Sequence, residues 1–297
     1  MELLTGPFLL VANPAARKSR PRLAALVEAL GAGGARVDVA TTERPGHAAE
    51  IVRERASGYE AVFTLGGDGT AMEVVGALAN TGIPIGVIPG GTGNLVARAL
   101  GIPVATRRAA AALLQGDVAD VDLGRLASGR CFAFSCGVGV DARMIRDTPP
   151  IWKRRLGIIA YAAVALRASL RNVSFVVRAT VDGETIERQA TAVMVANFGT
   201  VLSDLIVLGP GIARDDGKLD LCVFSPASGW EALGIAWRLL RKDFRPHRAM
   251  VYRSGRRFRI ECEPRQDAQA DGELVGATPL ELQVEPHAAR LLFPRVG

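Results

Sequence analysis

The sequence predicts an α/β protein with a parallel sheet covered by helices in its first part and antiparallel strands in its second part. Two observations lead to this fold class. Apolar strand-like runs alternate with helical runs as far as about Gly124, and short β-rich runs separated by Gly-containing turns follow. We place an α/β domain at residues 1–124 and a β-rich domain at 125–285, with a cleft between them. The segment 286–297 is expected to return to the first domain.

The elements of the first half follow from the hydrophobic pattern. The predicted strands are short and mainly apolar, as expected in a parallel sheet that is covered on both faces. They are Phe8–Ala12, Val37–Thr41, Ala61–Leu65 and Ile85–Ile88. The predicted helices are Arg22–Leu30, Ala48–Ala56, Ala71–Ala79 and Leu95–Leu100. In such sheets ligands bind beyond the carboxyl ends of the strands, where both Gly-rich loops of this half fall.

The second half consists mainly of β-rich runs, and turn dipeptides such as Asp-Gly separate them. The predicted strands are Cys131–Cys136, Phe175–Val181, Thr185–Val195, Leu219–Phe224, Arg257–Cys262 and Leu280–Val284. Two predicted helices, Ile151–Leu170 and Gly229–Asp243, interrupt them. Runs of this kind are typical of an antiparallel β domain.

The composition limits the class of protein. The chain has 297 residues, of which 49% are hydrophobic and 5% aromatic, so a large aliphatic core is expected. The net charge of +6 favours anionic partners such as phosphates, nucleic acid or a membrane surface. The four cysteines form no Cys-x-x-Cys pair, and the three histidines are far apart. These counts indicate a reducing compartment and disfavour structural zinc and a histidine-based site.

Two segments could resemble targeting or membrane signals, and neither has the required pattern. The start, Met1–Pro7, has no basic region, and only the short apolar run Phe8–Ala12 follows it. The longest helical apolar stretch, Leu156–Leu166, is about half of the ~20 residues that a membrane span needs. We therefore expect a cytoplasmic protein whose contact with the inner face of the cell membrane is peripheral.

The segment Thr64–Thr70, Thr-Leu-Gly-Gly-Asp-Gly-Thr, is the most informative motif. It follows a predicted strand and precedes a predicted helix. Gly66, Gly67 and Gly69 allow a tight turn that points backbone N–H groups at an anion, near the positive end of the helix. Asp68 would repel phosphate, so it indicates that Mg²⁺ mediates or that a carboxylate takes a proton from an attacking hydroxyl. The alternative is an ordinary strand-to-helix turn with an Asp cap.

A second Gly-rich loop, Pro89–Asn94, also lies between a predicted strand and a predicted helix. Two such loops at successive strand ends can hold one polyphosphate from two sides. The chain has no GxxxxGK[ST] P-loop, and its first strand-to-helix turn, Asn13–Arg17, lacks the GxGxxG pattern of dinucleotide-binding proteins. The HRD and DFG motifs of protein kinases are missing too.

Together these segments resemble the diacylglycerol kinase catalytic-domain family, whose bacterial members are ATP-dependent lipid kinases. Sphingosine and ceramide kinases are relatives. The resemblance covers nearly the whole chain and rests on Asn13-Pro14, the two Gly-rich loops and three later segments. Those segments are Val121–Gly124 followed by Cys131–Ala142, then Ala213–Asp220, and then Asp271–Glu273. The resemblance implies an ATP- and Mg²⁺-dependent kinase that transfers the γ-phosphate to the hydroxyl of diacylglycerol or a similar lipid alcohol.

The resemblance also implies the catalytic residues and the ATP site. Asp68 would join a network of Mg²⁺, water and carboxylates with Asp122. Glu273 would be the general base that deprotonates the lipid hydroxyl, and Asp271 would act beside it. The residues that would line the ATP site are Asn13, Pro14, Thr42, Gly66, Gly67, Asp68, Gly69, Thr70, Gly90, Gly91, Thr92 and Asn94.

A second, structural Mg²⁺ site is implied on the turn that begins at Ala213. Its ligands would be the carboxylate of Asp216 and the carbonyls of Ala213 and Lys218, and oxygen ligands of this kind suit Mg²⁺ or Ca²⁺. Taken without the resemblance, the Asp216-Gly217 and Asp271-Gly272 pairs are also typical of ordinary turns.

The chain departs from the pattern of many relatives at two positions. Arg17 stands in the first loop where many have Gly, and it could contact a phosphate or change the shape of the loop. Leu95 stands directly after the second loop where many have an acidic residue. The Mg²⁺ network could therefore contain one carboxylate fewer.

Two cationic clusters with tryptophans indicate contact with an anionic membrane surface. The first is Ile151–Arg155, and the second lies on the predicted helix that carries Trp230 and Trp237. The cations of that second cluster, spaced as on one helix face, are Arg238, Arg241, Lys242 and Arg245. Cations near an anionic leaflet contribute about 1 kcal/mol each. The alternative is that each cluster is an ordinary solvated helix face.

Two other functions stay open. A nicotinamide dinucleotide kinase would share the Gly-Gly-Asp-Gly-Thr loop, but neither Thr148-Pro149 nor Thr278-Pro279 continues into the Thr-Pro-Thr-Gly-Ser run of that family. A catalytically inactive nucleotide-sensing module is the other alternative. No nucleic-acid-binding motif is present, so the expected partners are a lipid alcohol and a membrane surface, and the sequence is compatible with a homodimer.

Overall fold

The computed structural model describes residues 4–14, 19–91, 93–139, 142, 174–201 and 206–295. The chain divides into two compact units. The first unit comprises Met1–Val121 with His287–Gly297, and the second comprises Asp122–Pro286. Thr92 and the predicted helix Ile151–Leu170 lie outside the described residues.

The strands and helices are numbered in chain order over the described residues. Strands β1 to β9 are Phe8–Ala12, Val37–Thr41, Ala61–Gly66, Pro84–Pro89, Asp117–Leu126, Cys131–Phe132, Ser135–Gly139, Phe175–Val181 and Glu184–Ala190. Strands β10 to β18 are Ala192–Ala196, Thr200–Val201, Ile206–Val207, Leu219–Phe224, Met250–Gly255, Arg257–Glu263, Asp267–Ala270, Glu273–Ala277 and Leu280–Phe293. Helices α1 to α6 are Ser19–Gly31, His47–Arg55, Asp68–Ala77, Leu95–Ala99, Thr106–Leu114 and Gly229–Leu240, and a 3₁₀ helix spans Ala56–Gly58.

The sheet of the first unit is parallel and runs in the order β2–β1–β3–β4, with the last residues of β18 added beside β4. Every residue of β1 and β3 is buried, which explains their continuously apolar sequences. Phe8 and Phe63 pack edge to face in this core, with ring centroids 5.3 Å apart. The register aligns the carboxyl ends of β1 to β4 along one edge of the sheet.

The second unit contains two antiparallel sheets. One runs in the order β14–β13–β10–β7–β16–β17, and the other contains β9, β8, β15 and the first part of β18. One continuous apolar core includes residues of both sheets, among them Val138 and Leu221 from the first and Val177 and Phe258 from the second. The strand β8 alternates between buried and more exposed residues, as expected for a sheet with one covered face. The predicted fold class is therefore confirmed.

Some predicted elements differ from the observed ones because neighbouring strands join different sheets. The predicted strand Thr185–Val195 is two strands that separate at Thr191: β9 pairs with β8, whereas β10 pairs with β7 and β13. The predicted strand Cys131–Cys136 is likewise divided between β6 and β7. An alternating or apolar pattern does not show where a chain changes its pairing partner.

Other differences lie at element ends. The helix α3 begins at Asp68 rather than Ala71, and the helix predicted to end at Asp243 ends at Leu240. The strand predicted as Leu280–Val284 continues as β18 to Phe293, and α5 had not been predicted. Among the described residues no helix is long and apolar enough to cross a membrane.

Candidate active site

Two Gly-rich loops meet at the carboxyl ends of β3 and β4. The strands are parallel neighbours with Gly66 opposite Pro89, so their loops leave the sheet side by side. The N–H of Gly90 donates to the carbonyl of Gly66 at 2.7 Å. A Cβ atom on Gly91 would lie 2.6 Å from Cα of Gly67, so only glycine permits this approach. The two loops therefore form one glycine-lined surface.

Asp68 connects the two loops. It is the first residue of α3, and its Oδ1 accepts the backbone N–H of Val96 at 3.0 Å, at the start of α4. Gly69 and Thr70 consequently belong to the first turn of α3 rather than to a free loop. The expected Mg²⁺ network between Asp68 and Asp122, which belongs to the second unit, stays a prediction.

Asn94 closes the second loop through its side-chain amide. Its Oδ1 accepts the N–H of Gly91 at 2.8 Å, and its Nδ2 donates to the carbonyl of the same residue at 3.0 Å. Asn94 itself adopts a left-handed backbone with φ of 49°, which Asn tolerates better than most residues. The amide thus has a structural function in the loop, and direct contact of Asn94 with ATP stays a prediction.

Polar residues from β1, β2 and α3 lie at the same edge. Asn13 Nδ2 donates to Thr70 Oγ1 at 3.2 Å. The buried Thr42 donates its backbone N–H to the carbonyl of Ala12 at 2.9 Å, and Pro14 follows Asn13 directly. Glycine backbone, hydroxyls and an amide are thereby gathered at one sheet edge, and a surface rich in donors of this kind suits phosphate oxygens.

Glu73, which no sequence motif marks, stabilises the loop at this edge of the sheet. Its Oε1 accepts the N–H of Gly46 at 2.8 Å and its Oε2 accepts the N–H of Ala48 at 3.2 Å. Those N–H groups lie at the start of α2, so Glu73 of α3 fixes the loop that follows Thr42. The spacing of 27 residues between Glu73 and Gly46 leaves no local signal in the sequence.

In the second unit, Asp122 is fully buried and holds the turn that carries the predicted structural metal site. Its Oδ2 accepts the N–H of Gly217 at 2.7 Å, and its own N–H donates to the carbonyl of Arg214 at 2.7 Å. Asn197 Nδ2 donates to the carbonyl of Asp122 at 2.6 Å. The structure therefore brings Asp122 next to the segment that contains Ala213, Asp216 and Lys218.

The chemistry of this turn fits a hard cation. The exposed Asp216 closes the turn, since its Oδ1 accepts the N–H of Lys218 at 3.0 Å, and Gly217 has a φ of 74°. Nearby Asp220 has its pKa raised to about 6, first by burial and further by the charge of Asp216. Oxygen donors in a region of negative charge suit Mg²⁺ or Ca²⁺. Among the described residues no group of three or more His, Cys, Asp and Glu side chains forms a metal cluster.

Asp271 anchors the hairpin between β16 and β17. Its carboxylate is buried and accepts three backbone N–H groups, those of Ala133, Phe134 and Ser135, at 2.7, 2.9 and 3.0 Å. Its own N–H donates to the carbonyl of Ser135 at 3.0 Å. A carboxylate held in this way positions the chain around it. We therefore regard Asp271 as a positioning residue, and its predicted catalytic contact stays a prediction.

Glu273 begins β17 just beyond that anchored turn. Its side chain is about half exposed and forms an ion pair with Arg130, through Oε2 and Nη2. Arg130 lies in the turn between β5 and β6, where its carbonyl accepts the N–H of Leu126 at 2.9 Å. Among the described residues Arg130 is the one side chain that forms an ion pair or hydrogen bond with this carboxylate. Because 143 residues separate Arg130 from Glu273, no local sequence pattern indicates this pair.

Two family models match the chain, one after the other. Residues 7–126 match the model described as the diacylglycerol kinase catalytic domain. Residues 135–293 match the model described as the YegS C-terminal NAD kinase beta sandwich-like domain. The first match contains both Gly-rich loops, and the second contains the Asp216 turn and the Asp271 hairpin.

The chain is also similar to individual proteins, both in sequence and in structure. An uncharacterized protein from Synechocystis is 30% identical over 78% of this chain, and the chain spans about half of it, 54%. A Bacillus subtilis protein named diacylglycerol kinase is 28% identical, over 92% of this chain and 91% of that protein. A crystal structure from Bacillus anthracis, described as that of a candidate diacylglycerol kinase, superimposes with a TM-score of 0.82. It is 26% identical, and the match covers 99% of this chain and 96% of that one.

Proposed function

The chain belongs to the diacylglycerol kinase catalytic-domain family, and we propose from this that it is a lipid kinase that uses ATP and Mg²⁺. The reaction transfers the γ-phosphate of ATP to the hydroxyl of diacylglycerol or a similar lipid alcohol. The protein works in the cytoplasm, at the inner face of the cell membrane.

The observation that carries this proposal is the contact between the two Gly-rich loops. Phosphoryl transfer depends on positioning and charge stabilisation more than on covalent chemistry, so the protein must hold a polyphosphate rigidly. The loops are fixed to each other by the Gly90–Gly66 hydrogen bond and by the bond from Val96 to Asp68. Hydroxyls of Thr42 and Thr70 lie at the same sheet edge and could bind phosphate oxygens.

Glu273 is the general base in this proposal. Its carboxylate accepts the proton of the lipid hydroxyl, the hydroxyl oxygen attacks the γ-phosphorus, and ADP leaves with the electrons of the broken bond. Arg130 forms an ion pair with the carboxylate and orients it until the substrate arrives. Asp271 fixes the hairpin from which Glu273 projects.

Bound Mg²⁺ would neutralise charge on the transferred phosphate, and Asp68 and Asp122 would hold it. A second ion would bind Asp216 with the carbonyls of Ala213 and Lys218. The oxygen-only donor set of that turn supports this assignment.

The test uses labelled ATP, Mg²⁺ and mixed micelles that contain a panel of lipid alcohols, with NAD in a separate reaction. Label in an organic-soluble product would identify a lipid kinase and its acceptor. We expect Glu273→Gln to lower kcat by about 10²–10⁴-fold, because it removes a general base. The matched control is Glu261→Gln, since Glu261 is another exposed glutamate paired with an arginine, Arg259. Unchanged turnover of the Glu273 variant would remove the base assignment.

The same experiment tests the dinucleotide kinase alternative. This alternative is retained because the family model that matches residues 135–293 describes an NAD kinase-like β sandwich. Label on NAD and on none of the lipids would replace the lipid kinase proposal with that activity. Label on neither would favour a module that binds nucleotide without transferring phosphate.

A further inference from the structure

Helix α6 exposes large apolar side chains that face away from the core. Trp230 is 84% exposed, Trp237 60%, Leu233 44% and Leu240 40%. At about 100° per residue these four positions fall within an arc of about 80°, so they form one stripe along the helix. Single exposed apolar residues are common on proteins, whereas a contiguous stripe with two tryptophans indicates an interaction surface.

The opposite side of the helix makes the contacts with the core. Ile235 is buried and Leu239 is partly buried, and both belong to a small apolar cluster with Ala249 and Met250. The helix therefore has two apolar sides, of which the fold uses one. The stripe of Trp230, Leu233, Trp237 and Leu240 contributes little to folding, and its exposure calls for another explanation.

The start of α6 is firmly held. Ser228 is the N-cap residue, and its Oγ accepts the N–H of Glu231 at 3.2 Å. Glu231 Oε2 in turn accepts the N–H of Ala227, the residue before the cap, at 2.6 Å. Glu231 also forms an ion pair with Arg248 at 3.1 Å. The helix thus presents its stripe on a fixed support.

A cationic recess adjoins the end of the stripe. It has a volume of about 460 Å³, and its lining consists of Trp237, Arg238, Arg241, Lys242, Asp243 and Arg245. One carboxylate among four cations leaves three positive charges in excess. Asp243 is shared by two of those cations, Arg238 at 3.4 Å and Arg245 at 2.9 Å.

Arg241 and Lys242 are the two cations of the recess that do not form an ion pair with Asp243. Arg241 lies over the ring of Trp237, with Cζ 5.7 Å from the ring centroid. No described carboxylate forms an ion pair with Lys242. These two cations and the tryptophan at the end of the stripe are therefore placed to act together.

We propose that α6 is the element by which this protein docks on an anionic lipid bilayer. The stripe enters the boundary between headgroups and acyl chains, and the recess receives the phosphate of an anionic headgroup. This inference rests on the proposed function, because a lipid kinase must reach an acceptor in a membrane. It adds to that function the surface that makes the contact.

Charge and residue type favour a bilayer as the occupant. A twelve-residue helix is about 18 Å long, too short to span a membrane and sufficient to lie on one. Tryptophan prefers the interface between headgroups and acyl chains, and Arg and Lys next to it are attracted by an anionic leaflet. The apolar stripe and the excess positive charge lie next to each other on α6 and its recess, and interfacial helices combine these two features.

The test measures binding to vesicles by sedimentation, in the absence of nucleotide. Wild-type protein is expected to bind vesicles of phosphatidylglycerol and phosphatidylcholine and to bind phosphatidylcholine alone weakly. Trp230→Ala/Trp237→Ala is expected to lower the partition coefficient about tenfold or more. Arg241→Glu/Lys242→Glu is expected to lower it by about the same factor, and raised salt should weaken wild-type binding.

Matched controls lie on exposed helix positions of the first unit and in its loops. Arg53→Glu/Arg108→Glu makes the same change in net charge, and Val104→Ala removes an exposed apolar side chain. Both should bind as wild type does, and unfolding curves should show all variants folded. The proposal is overturned if wild type does not bind anionic vesicles, or if either α6 variant binds as wild type does.

A second assay separates this inference from the kinase proposal. A short-chain diacylglycerol dispersed as monomers offers the acceptor without a membrane, and both α6 variants should phosphorylate it at the wild-type rate. If wild type fails to phosphorylate any lipid alcohol, the kinase proposal fails while the vesicle result stands. A kinase whose α6 variants still bind vesicles would contradict only the docking inference.

Discussion

At the scale of single residues, two neighbouring carboxylates lie in different environments. The carboxylate of Asp271 is buried and accepts three backbone N–H groups, whereas that of Glu273 is half exposed and has Arg130 as its described partner. The sequence Asp-Gly-Glu shows that the two acids are near neighbours, and their catalytic roles stay predictions. The sequence could not separate the buried anchor Asp271 from Glu273, the proposed base, because the groups that bind Asp271 lie 136–138 residues away.

We predict that Asp271→Asn lowers the free energy of unfolding by about 1–3 kcal/mol. The amide would retain one acceptor oxygen, so at least one buried N–H would lose its partner. Glu273→Gln should change stability by less than about 1 kcal/mol, because its ion pair is exposed. Denaturant unfolding of the two variants beside wild type measures this difference. Equal losses would show that Glu273 is also structural.

We also predict that the thiols are unreactive in the folded protein. All four cysteines are buried, and burial raises the pKa of Cys131, Cys222 and Cys262, in the last case to about 11. Folding thus disfavours the thiolate, so a disulfide reagent at pH 8 should react far more slowly before denaturation than after it. Fast reaction of the native protein would contradict this assignment.

The same raised pKa values predict how stability changes with pH. Unfolded thiols ionise near pH 9, while the folded ones remain protonated, so the unfolded state binds fewer protons there. The free energy of unfolding should therefore fall as the pH rises above about 9. Cys222→Ser and Cys262→Ser would each reduce this slope in a series of unfolding curves. A slope that neither change affects would exclude the thiols as its source.

At the scale of elements, the sequence motifs of the Gly-rich loops predict where the loops lie but not how the loops contact each other. Their place at the ends of β3 and β4 follows from strand–helix alternation, and the structure agrees with it. The interlocking of the loops depends on contacts between residues about 24 positions apart, such as Gly67 with Gly91. The hydrogen bonds from Glu73 of α3 to the start of α2 are long-range contacts of the same kind.

We predict that Gly91→Ala destabilises the protein by about 1–3 kcal/mol and weakens ATP binding. The new Cβ would lie 2.6 Å from the backbone of Gly67, so the loops must move apart. Gly33→Ala is the control, since it would meet no atom within 4 Å and should change stability by less than about 1 kcal/mol. Unfolding curves with and without ATP check both. A Gly91 variant that behaves like the Gly33 variant would show that the loops tolerate separation.

At the scale of the whole molecule, β18 takes part in both units. Its residues Leu280 to Gln283 pair with β15 in the second unit, and Arg290 and Leu291 pair with β4 in the first. Hydrophobic periodicity predicted a strand that ended at Val284. The turn-prone Pro286 interrupts the pattern, so the pairing that continues after it had no clear local signal.

We predict that Leu291→Ala lowers the free energy of unfolding by about 2–5 kcal/mol. Leu291 is fully buried in the first unit, and its truncation leaves a cavity beside β4. Arg290→Ala, one residue earlier, should change stability by less than about 1 kcal/mol, because its ion pair with Asp120 is exposed. Unfolding curves of the two variants measure the contrast. Equal effects would mean that the end of β18 is not needed for the core.

The path of β18 also sets an order of events during synthesis. Residues 287–293 are made long after residues 1–121 of the first unit, so the edge of β4 with which they pair stays open until they leave the ribosome. All residues of the second unit are made before them and can pair without waiting. The unit whose synthesis begins first is therefore completed last, and the edge of β4 is exposed to wrong partners while residues 90–286 are translated.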